Sequence, residues 1–173
     1  MSLESSITFF LAILIFSVTP GPGVFALIAK ALTEGSKACF PLSLGMVTSD
    51  ILYLVLACYG LAAIAEHFGW AFTAIRMLGA MYLFYLGYKL WTAKLDIDKD
   101  ASLKGKGQWF KSLLQGFLIS ASNPKVILFY IAFLPTFMDL TVLKSSDIVL
   151  ASVLTFIGLM IGLVAITFAA AAA

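Results

Sequence analysis

The sequence contains few charged residues. Asp, Glu, Lys and Arg make up only 12% of its 173 residues, whereas apolar residues make up 62%. A soluble domain is nearer to about 45–50% apolar, so this composition excludes an ordinary soluble protein and indicates a polytopic membrane protein. The formal net charge of +2 is far smaller than a nucleic-acid-binding surface needs, and we expect no nucleic-acid partner.

The sequence also has few side chains that bind metals or carry electrons. It contains one histidine, His67, in a predicted loop, and two cysteines, Cys39 and Cys58. Both cysteines fall within one predicted helix, where about 1.5 Å per residue separates them by roughly 28 Å. A disulfide needs Cα atoms within about 7 Å of each other. We therefore expect no disulfide, no metal site and no cofactor.

Five apolar segments are each close to the length of about 20 residues that a bilayer requires. They cover roughly residues 5–31, 39–65, 68–91, 113–137 and 147–170. Residues 92–112 form the only substantial hydrophilic segment, which we predict to be a charged cytoplasmic loop. Because residues 1–8 contain no Lys or Arg, we expect no cleaved signal peptide.

The distribution of lysines predicts the orientation in the membrane. One side of the predicted topology carries eight of them: Lys30, Lys37, Lys89, Lys94, Lys99, Lys104, Lys106 and Lys111. The loops on the opposite side carry Lys144 alone. Since basic loops remain in the cytoplasm, we expect a multi-pass protein with its N-terminus outside.

The segment Thr19-Pro20-Gly21-Pro22-Gly23 interrupts the first apolar span. Proline removes a backbone donor and glycine is a poor helix former, so we expect carbonyl groups here that lack partners within the helix. At membrane depth such groups are tolerated only where protein or a wet cavity satisfies them. A broken membrane helix therefore predicts a substrate or ion site in a transporter.

A second break matches the first. The residues Ser17-Val18-Thr19-Pro20 align with Ala121-Ser122-Asn123-Pro124 at an offset of 104 residues. Three spans separate the two copies, so the second copy would lie inverted in the membrane, as in secondary transporters. The prediction is an all-α membrane fold built as an inverted repeat of three transmembrane helices, with residues 1–91 as the first repeat and residues 113–173 as the second.

Such a repeat implies six transmembrane helices, whereas only five can be read in this sequence. The sequence ends in five alanines, Ala169 to Ala173, which resemble a truncation more than a natural terminus. We therefore expect the full protein to contain a sixth helix, whose contribution to the site is missing here.

Polar residues of three spans converge at one depth. Asp50 lies about ten residues into the second span, roughly 15 Å along its axis, which is the middle of a hydrocarbon core of about 30 Å. Thr19 and Pro20 lie about fourteen residues into the first span, and Asn123 and Lys125 about ten to twelve into the fourth. Ionisable groups at this depth usually mark a transport pathway.

Helical spacing gives these residues a common face. Tyr53 lies on the same face of the second span as Asp50. We predict a substrate-binding site composed of Thr19, Pro20, Gly21, Asp50, Tyr53, Asn123 and Lys125. The alternative is a buried ion pair between Asp50 and Lys125 that only holds helices together, which would leave the two proline breaks unexplained.

Several motifs occur together in the chain: Phe16-Ser17-Val18-Thr19-Pro20-Gly21-Pro22-Gly23, then Gly35 and Gly45 leading to Asp50, Leu78 to Gly87, Gln115-Gly116-Phe117, Asn123-Pro124-Lys125 and Phe133-Leu134-Pro135. This combination resembles the LysE/RhtB family of amino-acid exporters. The resemblance implies a homoserine-, threonine- or leucine-type efflux protein of a bacterial inner membrane that exchanges small amino acids or their derivatives for protons. The chain departs from the family pattern at Thr19, commonly Asn, and at Gly23, often Asp, which affects the choice of substrate.

The resemblance and the buried charges together predict a mechanism. Lys125, or the N-terminus of a half-helix, would bind the substrate carboxylate. Asp50 and free carbonyls between Thr19 and Gly21 would bind the ammonium. Asp50 is also the candidate proton carrier, and competition between substrate and proton for it would couple their movements.

The expected partners are an amino acid, protons and the lipid bilayer, and the glycine-rich helix faces are compatible with a homodimer. We predict a transporter with no catalytic residues, not an enzyme. Two alternatives stay open. An ion or heavy-metal efflux protein would need more Cys, His or carboxylate ligands in its spans. A membrane thiol–disulfide electron carrier would need two reactive cysteines near the broken helices.

Overall fold

The computed structural model describes residues 1–67 and 107–172, together with isolated helical positions at residues 70, 74, 77, 81 and 88. These residues form six α-helices and no strand: α1 Leu3–Val18, α2 Pro22–Glu34, α3 Phe40–His67, α4 Gln108–Ala121, α5 Pro124–Phe137 and α6 Ser145–Ala171. Short 3₁₀ turns occupy Ser36–Cys39 and Leu140–Val142. The predicted all-α polytopic membrane fold is confirmed.

The helices match four of the five predicted spans. Two are long and apolar enough to cross a membrane alone: Ser36–Gly60, with a mean hydropathy of 1.7, and Ser145–Ala171, with 2.6. The other two are bent pairs, in which α1 and α2 meet at 58° and α4 and α5 at 56°. Both predicted breaks are therefore real, and the inverted relation between the two halves stays a prediction.

Three details of the sequence interpretation need correction. The hydrophilic segment predicted for residues 92–112 ends earlier, because α4 begins at Gln108; its residues 92–106, like most of the predicted third span at 68–91, lie outside the described residues. His67 is the last residue of α3 and not part of a loop. Cys39 ends the 3₁₀ turn that precedes α3, so the two cysteines do not share one regular helix.

The first break is caused by two consecutive X-Pro pairs. A residue before proline is driven out of the α region, and Thr19 (φ −66°, ψ 127°) and Gly21 (φ −179°, ψ 176°) are both extended. The second half-helix therefore begins at Pro22, where proline is favoured because the first helical N–H needs no partner. The break predicted at this motif is therefore confirmed, and α2 begins two residues after Pro20.

Helices α3 and α4 cross at backbone contact. A Cβ atom added at Gly45 would clash with the carbonyl oxygen of Leu113, and one added at Gly116 would clash with that of Leu42. Only glycine lets two helix backbones approach this closely. The crossing lies near the start of α3 and the middle of α4. Further along the same pair of helices, Asp50 of α3 meets Ser120 near the end of α4, where the second break begins.

Helix α6 packs along α1 through a ridge of small residues. A Cβ atom at Gly158 would approach the Cγ2 atom of Ile13 to 2.8 Å, and one at Gly162 would clash with the hydroxyl of Ser17. This ridge holds α6 over the first break. Leu159 and Leu163, on the same helix, therefore reach the space between the two breaks.

Candidate functional site

A small central cavity lies between the two helix breaks. Four of the predicted site residues line it: Gly21, Asp50, Asn123 and Lys125. Apolar side chains close it: Val24, Met46, Val126, Leu159 and Leu163. Its volume is about 30 Å³, which is the share of one water molecule in the liquid and too small for any amino acid. We call this arrangement, in which the cavity has no room for an amino acid, the closed state.

Lys125 crosses from the second break to the first. Its side chain begins in the first turn of α5, and the residue is only 8% exposed. The Nζ atom donates hydrogen bonds to the carbonyl oxygens of Phe16, at 2.9 Å, and Thr19, at 2.7 Å. It also lies 4.3 Å from the centre of the Phe16 ring. A buried ammonium group is thus satisfied by backbone carbonyls and an aromatic face.

This contact corrects one expectation about the first break. The carbonyl groups between Thr19 and Gly21 were expected to be free. The Thr19 carbonyl instead accepts from Lys125, and the Gly21 carbonyl accepts from the backbone N–H of Phe25 at 3.0 Å. The side chain of another helix therefore replaces the missing intrahelical donor.

Asp50 faces the cavity from the middle of α3. It is 4% exposed, and its Oδ1 atom accepts a hydrogen bond from the hydroxyl of Ser120 on α4. Although both residues line the cavity, no ion pair within 4.0 Å joins Asp50 to Lys125. The alternative of a direct structural ion pair between these two residues is therefore wrong for this closed state.

The two half-helices that begin at the breaks have different N-termini. At α5 the side chain of Asn123 accepts from the backbone N–H of Lys125 at 3.0 Å, as an N-cap does. At α2 the N-cap is Gly21, and no side chain caps the helix. Gly23 and Val24 in its first turn line the cavity, and a helix N-terminus without a side-chain cap favours an anion.

Three predicted site residues do not line the cavity. The hydroxyl of Thr19 donates to the Ile15 carbonyl of its own helix at 2.6 Å, so Thr19 faces Lys125 only through its carbonyl. Pro20 is exposed. The hydroxyl of Tyr53 donates to the carbonyl of Ala121 at 2.6 Å, which ties α3 to the second break.

Among the cavity residues missing from the predicted site, two contact its charged side chains, Ser120 and Phe16. Ser120 lies three positions before Asn123 and thus on the same helical face, so its spacing could have indicated it. Phe16 offers no such signal, because its role depends on a carbonyl group and a ring that Lys125 reaches across the fold. Cys39 and Cys58 are free, buried thiols, and neither lines the cavity.

A second, larger cavity lies at one end of the helices, and we call it the end cavity. Its volume is about 520 Å³, and its walls include Lys30, Glu34, Lys37, Gln108 and Trp109. Glu34 accepts from Lys30 Nζ and from Gln108 Nε2, each at 2.9 Å. The end cavity therefore lies where the end of α2 meets the start of α4.

Two broken apolar spans around a buried polar cavity are the architecture of membrane transporters. The chain matches the family model of the LysE type translocator over residues 14–173, and it belongs to that family of transporters. The resemblance on which the sequence interpretation rests is confirmed.

Curated relatives agree with this assignment. An uncharacterised membrane protein of Synechocystis sp. is 30% identical, with 93% of this chain and 79% of the relative covered. The leucine efflux protein of Salmonella typhimurium is 28% identical, with 78% of this chain and 63% of the relative covered. An uncharacterised membrane protein of Vibrio cholerae is 28% identical, with 82% and 68% covered. The matched part of the chain thus spans less than two thirds of the leucine efflux protein, and no solved structure matches the chain.

Proposed function

We propose that this chain is a secondary transporter that exports small amino acids or their derivatives across a bacterial inner membrane in exchange for protons. The observation that carries the proposal is the central cavity, where two broken spans bring together one buried acid, one buried base and an uncapped helix N-terminus. The name of the Salmonella relative, a leucine efflux protein, supports an amino acid as the substrate class.

A zwitterion requires one anion-binding and one cation-binding group away from bulk water. The first turn of α2 and the ammonium of Lys125 would bind the carboxylate, because a helix N-terminus and a cation both favour negative charge. The carbonyl groups at the end of α1 and the carboxylate of Asp50 would bind the ammonium. Lys125, Asp50, Phe16 and the first turn of α2 line the same cavity, and the Thr19 carbonyl meets the Lys125 ammonium beside it. The cavity must widen to admit a substrate.

Asp50 is the proposed proton carrier. Burial favours the neutral form of a carboxyl group, whereas a nearby basic side chain favours its charged form. A carboxyl group under both influences can therefore change its protonation state. If a proton and the substrate ammonium compete for Asp50, proton binding on one side of the membrane releases the substrate. Substrate binding on the other side releases the proton. That competition couples amino-acid export to proton uptake.

The proposed orientation places the end cavity in the cytoplasm and the N-terminus outside. Lys30 and Lys37 border the end cavity, and the positive-inside rule assigns such a surface to the cytoplasm. The end cavity would then be the entrance from which substrate reaches the central cavity. A homodimer stays a prediction from the glycine-rich helix faces.

Counterflow in proteoliposomes tests the proposal. Vesicles containing the purified chain are loaded with one unlabelled amino acid at a time and supplied with a trace of the labelled form, with and without a pH gradient. We expect accumulation of label for a small set of amino acids, and an increase when the gradient favours exchange for protons. Absence of counterflow for every amino acid, from protein that elutes as a single folded species, would refute the proposal.

A further inference from the structure

We propose that the carbonyl groups of Phe16 and Thr19, with the ring of Phe16, form the subsite for the substrate ammonium, and that Lys125 occupies this subsite as an internal competitor in the closed state. This inference rests on the proposed function, because it specifies how the same site recognises its substrate. It revises the sequence interpretation, in which Lys125 serves the carboxylate alone.

The contacts of Lys125 are those that any primary ammonium needs. An –NH₃⁺ group has three donors and no acceptor. Here two carbonyl oxygens accept at 2.9 and 2.7 Å, and the Phe16 ring centre lies 4.3 Å away. The α-ammonium of an amino acid has the same charge and the same three donors. A subsite that satisfies one of these groups therefore satisfies the other.

Helix dipoles favour a cation at the first break. The Phe16 and Thr19 carbonyls lie at the C-terminus of α1, the negative end of that helix. Lys125, in contrast, belongs to the first turn of α5, the positive end of its own helix. The ammonium therefore lies away from the positive end of α5 and at the negative end of α1, where a cation is favoured. The Lys125 stem passes Gly21, which has no side chain to obstruct it.

A zwitterion can replace this contact without leaving a buried charge unpaired. The substrate ammonium takes the two carbonyls, and the displaced Lys125 pairs with the carboxylate of the same molecule beside the uncapped first turn of α2. A simple amine would put two ammonium groups together with no anion. A simple carboxylate would leave the carbonyls without a donor, which is costly in a closed site. The arrangement therefore selects molecules that carry both groups.

The replacement Lys125→Ala tests this inference, with methylammonium as the probe. Removing the competitor leaves the subsite open, so methylammonium should bind the variant at least about tenfold more tightly than it binds the original chain. The amino acid that the original chain binds should bind the variant at least about tenfold more weakly, because Lys125 no longer pairs with its carboxylate. Calorimetry and thermal unfolding of the purified protein in detergent measure both affinities.

The control variant is Lys125→Met, whose uncharged chain fills the same space. Methylammonium should not bind Lys125→Met, although this variant lacks the lysine charge just as Lys125→Ala does. If Lys125→Ala does not fold, Lys125→Gln replaces it, since its amide can still donate to the carbonyls and a cation should displace that neutral group. Equal methylammonium affinity in the original chain and in folded Lys125→Ala, or in Lys125→Gln where that variant replaces it, would overturn the inference.

This test separates the inference from the proposed function. Methylammonium binding by Lys125→Ala does not require transport, so a gain of binding supports the subsite even if amino-acid counterflow is absent. Amino-acid counterflow without any gain of methylammonium binding would retain the transporter and refute the subsite.

Discussion

Asp50 offers the sharpest test at the scale of a single residue. Asn has the same shape as Asp, and its side-chain oxygen can still accept from Ser120, so Asp50→Asn should fold. It cannot bind and release a proton in the physiological range. We expect accumulation driven by a pH gradient to fall to background in proteoliposomes. Export that still follows the gradient at full rate in this variant would show that the proton travels elsewhere.

Ser120 tests whether the environment of Asp50 matters. Its hydroxyl is buried and donates to the carboxylate, so Ser120→Ala leaves a buried acceptor without that partner, at a cost of about 1–3 kcal/mol. We expect a lower unfolding temperature and slower counterflow. The matched control is Ser122→Ala, because the Ser122 hydroxyl is exposed and donates only to carbonyls of its own helix. Similar losses in both variants would contradict a specific role of Ser120.

The sequence predicted the depth of the site residues better than their partners. Counting residues from the start of a span gives depth, so Asp50, Asn123 and Lys125 were placed together and do line one cavity. Partners depend on where each side chain points across the fold. The long stem of Lys125 can reach either Asp50 or the carbonyls of α1, and no spacing in the sequence distinguishes the two.

At the scale of helices, the crossing of α3 and α4 predicts unequal effects of two similar mutations. Gly45→Ala would force a Cβ atom into the backbone of α4, which must move α4 and Ser120 with it. Gly60→Ala also adds a Cβ atom to α3, but at a position where no other atom lies within 4 Å of it. Alanine favours helix over glycine by about 1 kcal/mol, so the second variant should be neutral or more stable.

Thermal unfolding in detergent checks this pair. We expect Gly45→Ala to lower the free energy of unfolding by about 1–3 kcal/mol, as overpacking typically does, and to reduce counterflow. Equal stability of the two variants would mean that the crossing can relax without loss.

The bends themselves could be predicted from local chemistry. Proline and the residue before it have restricted backbone angles, and this restriction does not depend on tertiary contacts. The exact start of α2 also follows from it, because Pro22 keeps Gly21 out of the helical region and so prevents a start at Pro20. The crossing at Gly45 and Gly116 could not be predicted with the same certainty, since membrane helices contain many glycines and only the pairing of two particular faces selects these.

At the scale of the whole molecule, the helix termini sort into two ends. The amino group of Met1 contacts the carboxylate of Asp147, and the rings of Phe9 and Phe137 lie 5.5 Å apart, so the starts of α1 and α6 and the end of α5 lie together. The contact between Gln108 and Glu34 joins the start of α4 to the end of α2 at the other end. The two broken spans therefore run in opposite directions, as an inverted repeat requires.

These two ends allow the orientation to be tested with cysteine labels. Thr33 lies near the end of α2 and Ser146 near the start of α6, and both are exposed. We introduce Thr33→Cys or Ser146→Cys into a chain whose buried Cys39 and Cys58 are replaced by alanine. Neither label changes the charge of the chain, so the lysine distribution that predicts the orientation is preserved.

We expect a membrane-impermeant maleimide to label Ser146→Cys in intact spheroplasts and to label Thr33→Cys only after lysis. A second label on the same end as Ser146, such as Glu4→Cys on the exposed start of α1, should behave as Ser146→Cys does and serves as the control. The reverse pattern would place the end cavity outside. In that case Lys30 and Glu34 would face the compartment into which substrate is released, and the end cavity would be the exit of the pathway, because the proton gradient sets the direction of exchange whichever way the chain lies.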